Sequence, residues 1–306
     1  MRSTPSDGRS EIALPVPVSH PTKVFFPDEG YTKRDVAEFY VRVFPRLQPW
    51  VRDRLLTLER CPDGMSGQCF YERQFPQGMP DGTPKKRVEH LGNDKGHTDY
   101  VVGGSLRTQI ALVNLGCIAV HVMAARASSP RRPDWLCIDI DPHQSGKFAD
   151  AANAALLVRD AFETLGLVSF PKTSGGRGMH VLVPLRTGPD ADDVLAFAEA
   201  FIARVAAAHP ATLTAGHSVS ERHGRVYLDP FRNAFAQSVP APYSVRRRPK
   251  APVSTPLAWP EVKATLDPSD FNLGNFDQRL RRPDPWGDFF ESRQGLGEAS
   301  RRLQKL

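Results

Sequence analysis

The chain has 306 residues, with 40 Lys plus Arg against 34 Asp plus Glu for a net charge of +6, and 40% apolar and 24% charged residues. That balance excludes wholesale disorder. No apolar run approaches the ~20 residues of a membrane span, and the opening MRSTPSDGRSE lacks the apolar centre of a signal peptide. Four cysteines, Cys61, Cys69, Cys117 and Cys137, are too few for a disulfide framework in so long a chain and fit no common zinc spacing, so a reduced, cytoplasmic protein is expected. The charge does not choose among nucleic acid, nucleotide and acidic-protein partners. Proline, at 28 residues, is nearly twice the ~5% background, so long irregular connections are expected.

In chain order, residues 1–18 read as a tail. A capped helix follows, with Thr32 and Asp35 imitating a capping box and Val36, Phe39, Tyr40, Val43 and Leu47 at helical spacing. A strand is expected at Leu55–Glu59. Loops with short strands should fill the Gly-, Pro- and charge-rich stretch from Cys61 to His97, and a helix should cover Leu106–Leu115. Two strand-like runs, CIAVHVMAA and DWLCIDID, precede a helix in FADAANAALLVRDAFETLG that Gly166 ends. VSF and MHVLVPL read as strands around the turn SGGRG, DADDVLAFAEAFIARVAAAH as an amphipathic helix, and RVYLD as a short strand. The last 60 residues carry Pro-rich loops and two short helices ending in the basic RRLQKL. This order predicts a mixed sheet with packed helices in one two-lobed domain. It is not a dinucleotide-binding half, because the glycines lie between two strands.

Two features carry chemistry. Asp139 and Asp141 sit two apart in WLCIDIDP, and strand residues i and i+2 share a face. Two carboxylates projecting together from a buried sheet need a cation, and oxygen-rich pairs suit Mg²⁺ or Mn²⁺. Asp229, at the end of RVYLD, stands in a similar setting, and three strand-borne aspartates could hold two metals for in-line phosphoryl displacement. The competing reading is a strand entering a turn at Asp141-Pro142. In KTSGGRGMHV, Gly175, Gly176 and Gly178 allow close backbone approach, successive amides form an anion nest, and Ser174, Arg177 and His180 add donors. The competing reading there is a plain hairpin turn with Arg177 solvated.

These elements, in this order, resemble the polymerase domain of bacterial DNA ligase D, of the archaeo-eukaryotic primase superfamily. The resemblance rests on DWLCIDIDP, FPKTSGGRGMHVLVPL, RVYLDPFRN and APYSVRRRPKAPVSTPLAW, with KVFFPDEGYTKRDVAEFY and RCPDGMSGQCFYERQFP earlier in the chain. It implies an α+β primase-polymerase fold of mixed and antiparallel sheets flanked by helices. A catalytic domain at 19–285 would lie between the 1–18 tail and a helical, basic tail at 286–306. Position by position, Asp139, Asp141 and Asp229 match catalytic metal ligands. Ser174, Gly175, Gly176, Arg177 and His180 match a triphosphate-binding turn. His121 matches a histidine near the incoming nucleotide, and Arg246 a triphosphate-contacting arginine. Phe70 and Tyr71 match an aromatic pair that stacks on template bases, Lys23 and Lys33 a 5′-phosphate pocket, and Arg222 a loop arginine near the active site; Arg60 is expected on the same basic DNA-facing surface. Adjacent strand residues point to opposite faces, so one of Phe70 and Tyr71 is a core candidate. His121, in an apolar strand, is also a core candidate.

The sequence departs from the family pattern at three places. Glu59 stands where a basic residue is common in the 5′-phosphate pocket, so the grip on DNA ends is expected to be altered. His20 replaces an asparagine, and Ala234-Phe235-Ala236 replaces a Gly- and Arg-containing stretch. The activity implied is template-dependent addition of NTPs or dNTPs to a primer 3′-hydroxyl at gaps or broken ends, by two Mn²⁺ or Mg²⁺ ions. The implied partners are gapped or broken DNA, Ku and a DNA ligase. The implied setting is non-homologous end joining by a monomer at the bacterial nucleoid. Rival readings are a primase that starts strands unaided and a non-catalytic DNA-end module with a vestigial acidic site. A metal phosphohydrolase lacks the extra carboxylate or His ligands it would need.

Overall fold

The computed structural model describes residues 12–89 and 96–305. The first eleven residues of the 1–18 tail and the terminal leucine of RRLQKL lie outside them. Of the remainder of that tail, Val16 is buried against the first helix and its neighbours, with Leu14 and Val18 packed on the same cluster.

The chain begins with β1 (Val24–Phe26) and β2 (Tyr31–Thr32), then α1 (Lys33–Val51), β3 (Leu56–Arg60), β4 (Phe70–Glu72), β5 (Lys85–Glu89) and β6 (His97–Val101). It continues with α2 (Leu106–Asn114), β7 (Cys117–Val122), β8 (Trp135–Asp141), α3 (Phe148–Thr164), β9 (Phe170–Thr173) and β10 (Met179–Pro184). After α4 (Ala191–Ala208) come β11 (Leu213–Thr214), α5 (Val219–Arg222), β12 (Val226–Asp229), β13 (Val239–Pro240), α6 (Asp277–Leu280) and α7 (Gly297–Leu303). The capping box is formed: the amide of Asp35 donates to Thr32 Oγ1 at 3.2 Å and the amide of Thr32 to Asp35 Oδ2 at 2.7 Å. Helix α1 runs through Pro45 and Pro49 to Val51, past the last periodic residue read from sequence. The burial of Leu47, Trp50 and Val51 offsets the two backbone donors that the prolines lack.

Two sheets face each other. The first has the order β11-β12-β8-β10-β9, antiparallel except for the β11–β12 pair; the second is β13-β7-β3-β4. Alternation on the strands of the first sheet decides what each face does. Leu136, Ile138 and Ile140 of β8, with Met179, Val181 and Val183 of β10, point to α3 and α4 and form one core with Val158, Phe162, Phe201 and Ile202. The opposite face starts apolar, with Trp135, Cys137 and Leu182 joining a second core shared with α1, α2 and the second sheet. Along β8 that inner face then changes from Trp135 and Cys137 to Asp139 and Asp141. The crevice between the sheets is therefore dry at one end and charged at the other.

The expectation of reduced cysteines is overturned for one pair. Cys61 and Cys69 form a disulfide, while Cys117 and Cys137 are free and buried. Register explains it: β3 and β4 are antiparallel with Arg60 opposite Phe70, so the next residues outward, Cys61 and Cys69, meet. Counting cysteines does not reveal this. Of the segment 286–306, set apart in the sequence as a helical basic tail, the described residues 286–305 lie on the body of the protein. Trp286 and Phe289 pack tilted and edge-on against Trp50 at centroid distances of 5.2 and 4.7 Å, and Ala299 and Leu303 of α7 are buried in the core shared with α4.

Candidate active site

Pairing across the first sheet aligns four ionisable side chains in one row. Lys172 of β9 stands opposite His180 of β10, His180 opposite Asp139 of β8, and Asp139 opposite Asp229 of β12. Asp141 lies two residues on from Asp139, opposite Tyr227. The structure thus brings together the three aspartates and the histidine of the glycine turn. His180 Nε2 is 3.3 Å from Asp139 Oδ1, while Arg232 Nε donates to Asp139 Oδ2 at 3.0 Å and lies 3.5 Å from Asp229 Oδ2.

The charges are unbalanced. Burial raises the pKa of Asp139, but His180 and Arg232 outweigh burial and hold it well below the usual carboxylate range. Asp141 has no such partner: burial and the charges of Asp139 and Asp229 push it up to about 7. Burial and Asp139 also raise Asp229. His180 is lowered to about 4 by burial and by Lys172, and its Nδ1 is buried without a partner. Lys172, fully buried, is lowered to about 7 by burial and Arg246; its ammonium donates to Ser254 Oγ.

This donor set fits a hard divalent cation. It offers carboxylate oxygens only, and Asp141 carries the surplus negative charge that a cation would relieve. Asp139, Asp141 and Asp229 are the residues that would hold it. Among the described residues no three His, Cys, Asp or Glu side chains already converge as a metal cluster, and Arg232 bridges Asp139 and Asp229 instead.

Facing the acids is a cavity of about 500 Å³ lined by Thr57, Tyr71 and His121 of the second sheet, by Asp139, Asp141, Ser174 and His180, and by Arg73, Arg232, Arg246 and Arg248. Arg246 is buried with Nε and Nη1 lacking any partner. The glycines of the turn make room for these arginines. A Cβ on Gly175, whose φ is +74°, would lie 2.3 Å from Arg246 Cγ, and one on Gly176 would lie 3.0 Å from Arg248 Nε. Ser174 Oγ accepts from the Gly176 amide at 3.3 Å and donates to Gly178 O at 3.0 Å, which fixes the turn.

Of the other residues singled out in the sequence, Tyr71 lines the cavity and Arg177, Arg222, Phe70, Arg60, Lys23 and Lys33 do not. Arg177 donates to Gln144 O and does not line the cavity. Arg222 sits 4.1 Å above the Tyr227 ring and donates to His217 O. Phe70 and Tyr71 are 40% and 57% exposed, so neither is core. They point to opposite faces: Tyr71 meets His121 edge-on at 5.4 Å, whereas Phe70 lies under Arg60, whose guanidinium also pairs with Glu72 and donates to Leu115 O. Arg60 is thus occupied on the face away from the cavity. Lys23 and Lys33 lie near each other. Lys23 Nζ donates to Pro62 O and Asp63 Oδ1, both at 3.0 Å, and Lys33 Nζ to Ser19 O at 2.8 Å and Asn114 Oδ1 at 2.9 Å. Glu59 is not beside them. It lies on the cavity face of β3, where Oε1 accepts from Arg247 Nε at 2.7 Å, so the expectation that it repels a phosphate in the lysine pocket is corrected.

Sequence reasoning missed Lys172, Arg232, Arg248 and Arg73. All four stand inside quoted motifs, Lys172 in FPKTSGG, Arg232 in LDPFRN, Arg248 in APYSVRRRPK and Arg73 in CFYERQFP. For the first two the signal is positional: Lys172 two residues before Ser174, and Arg232 three after Asp229 on a turn that returns its side chain to the acid.

Fold and site together define a nucleotidyl-transferring class of enzyme, with acids on one sheet and arginines around a cavity opposite. The family model described as LigD, primase-polymerase domain, matches residues 32–286, and the chain belongs to that family. It is 32% identical over 301 residues to the multifunctional non-homologous end joining protein LigD of Pseudomonas aeruginosa, covering 97% of this chain and 36% of that protein. It is 28% identical over 276 residues to the bifunctional LigD of Bacillus subtilis, covering 89% and 44%. The polymerase domain of Mycobacterium tuberculosis ligase D, solved in complex with DNA, superposes with a TM-score of 0.84 at 27% identity, covering 92% of this chain and all of that one. The chain thus spans well under half the length of these curated relatives.

Proposed function

We propose that this protein adds nucleotides to a primer 3′-hydroxyl under the direction of a template strand, filling gaps or broken ends during non-homologous end joining. The observation that carries this reading is the apposition of Asp139 and Asp141, with Asp229 paired beside Asp139, to a cavity that Arg246 also lines, with two buried, unpartnered nitrogens. An unpaired buried guanidinium is costly unless an anion joins it. Arg246, Arg248 and the Ser174 turn bind and orient a triphosphate. This electrostatic preorganisation is complete before the reaction begins. His180 orients Asp139, and Arg232 holds Asp139 and Asp229 in register. Two Mn²⁺ or Mg²⁺ ions, held by the three aspartates, would supply Lewis acidity to the hydroxyl and the leaving pyrophosphate. Tyr71, exposed at the cavity rim, offers a face on which a base stacks for roughly 1–3 kcal/mol in any sequence. DNA, Ku and a ligase are the partners that the family resemblance implies, and the end-joining names of the relatives support that setting.

The test is extension of a gapped duplex with NTPs or dNTPs and Mn²⁺ or Mg²⁺. Asp139→Ala should abolish extension and leave DNA binding nearly intact. Retained extension by that variant sinks the reading. A parallel reaction without primer separates strand initiation from extension.

A further inference from the structure

Glu59 is a carboxylate on the cavity side of the second sheet, and nucleotidyl transfer as proposed leaves it without a task. In register it stands opposite Tyr71 on β4, and it shares the inner face of β3 with Thr57, the partner of His121 on β7. It is buried, and its two oxygens differ. Oε1 accepts from Arg247 Nε, whereas Oε2 is buried with no hydrogen-bond partner. His121 Nε2 lies 3.9 Å from Oε2 and is likewise buried and unpartnered. His121 itself lines the cavity. Burial raises the pKa of Glu59, but His121, Arg247 and Arg246 outweigh it and bring it down to about 2, so the carboxylate is ionised. His121 is held down to about 4, chiefly by burial, so the imidazole is neutral and carries one proton.

Where that proton sits follows from electrostatics. A lone pair on Nε2 facing an unpaired carboxylate oxygen at 3.9 Å in a buried setting would repel it, and a proton there is attracted. We propose that Glu59 is a positioning residue acting through His121: its carboxylate holds the imidazole with Nε2–H turned inward, leaving Nδ1 as a hydrogen-bond acceptor for a ligand in the cavity. An acceptor there cannot serve a phosphate oxygen. It serves a donor, and in a nucleoside triphosphate whose phosphates lie on Arg246 and Arg248 the donor within reach of this wall is a sugar hydroxyl. Glu59 thereby divides the cavity into a phosphate end and a sugar end. The sugar assignment rests on the nucleotidyl-transfer reading; the tautomer assignment does not.

Glu59→Gln tests both. The amide keeps the shape and can still accept from Arg247, but it lacks the charge that fixes the proton and can itself donate to Nε2. Long-range proton–nitrogen NMR at pH 7, with the His121 signals identified by their loss in His121→Asn, should show the Nε2–H form in the native protein and loss of that preference in Glu59→Gln. Steady-state kinetics with ribo- and 2′-deoxynucleoside triphosphates should show the ratio of their kcat/KM values shifting at least about fivefold, because a site built to bond a hydroxyl penalises its absence. Glu59→Asp, which keeps the charge, should restore part of both signals. The proposal is overturned if Glu59→Gln leaves the His121 tautomer unchanged, or if activity with both sugars falls equally, as a merely structural role would have it. If the native chain transfers no nucleotide, the transfer reading fails, and the NMR comparison still decides the role of Glu59.

Discussion

Asp229 stands directly opposite Asp139 across β12 and β8, and the two carboxylates share the guanidinium of Arg232. Arg232 stands in for the cation that facing acids need. Replacing it with leucine should destabilise the protein by about 1–2 kcal/mol, less than the ~3–5 of a fully buried pair because the guanidinium is partly exposed. That corresponds to a melting temperature lower by several degrees. Mn²⁺ should recover more of the melting temperature in Arg232→Leu than it adds to the native protein, because in the variant Asp139 and Asp229 lose the Arg232 charge while Asp141 is uncompensated in both. Equal Mn²⁺ shifts, read by thermal melts with and without the ion, would remove Arg232 from this role.

Lys172 is the fully buried end of the charged row, and its partners are the Ser254 hydroxyl and the Thr173 carbonyl, with no carboxylate bonded to it. Its pKa in the folded chain is about 7, against 10.5 as an ordinary lysine, lowered by burial. Between those values the unfolded chain binds more protons than the folded one, so this group's contribution to stability rises with pH across that window. Urea melts at several pH values should therefore show the native protein gaining on Lys172→Met from about pH 7 upward, by at most about 1.4 kcal/mol per pH unit. A stability difference flat in pH would mean that the ammonium is compensated.

The strand-borne acids were legible in the sequence because a period of two is all that Asp139 and Asp141 need to share a face. The capping box at Thr32 and Asp35 was legible for a similar reason: both partners lie within one turn. What the sequence did not reveal depends on register between segments far apart in the chain. Glu59 reads as a pocket residue until β3 is paired with β4 and β7, which turns it toward Tyr71 and His121. Arg60, one residue on, turns the other way for the same reason. Cys61 and Cys69 look like two of four unrelated thiols until the Arg60–Phe70 pair sets them side by side. Lys172 looks like an ordinary strand lysine, and only the four-strand row shows that it is buried behind His180.

Gly178 is where the glycine turn presses on the acids. A Cβ there would lie 2.5 Å from the Ile140 carbonyl oxygen and 3.3 Å from Asp141 Oδ1, and a backbone oxygen in a paired strand has little room to yield. Gly178→Ala should therefore open β10 from β8 at Asp141. Overpacking of this kind costs about 1–3 kcal/mol. Extension should fall about tenfold or more while DNA binding persists, since 1 Å of displacement at a reacting centre is enough. Gly188→Ala, where nothing lies within 4 Å, is the control. Equal activity of the two variants in the gap-filling assay would contradict the steric argument.

The two lysines near the chain start are set up differently. Lys23 has Asp63 as a counter-charge, whereas Lys33 donates to a carbonyl and an amide oxygen and has no carboxylate among its hydrogen-bond partners in the described residues. Burial and the neighbouring charge of Lys23 lower Lys33 to about 8. An ammonium so poised can receive an added anion, and the 5′-phosphate at a DNA gap is the anion proposed for it from the family resemblance. Below about pH 8 Lys33 is cationic and should favour the phosphate; above it the free lysine is neutral and a bound phosphate must first restore the proton. The affinity advantage of a 5′-phosphorylated over a 5′-hydroxyl gapped duplex should shrink from pH 7 to pH 9. The same advantage in Lys33→Met should be smaller and nearly level across that range. Fluorescence anisotropy with the two duplexes at constant ionic strength measures both, and constant ionic strength matters because phosphate contacts weaken steeply with salt. An advantage that is level with pH in the native protein would show that Lys33 does not hold the phosphate.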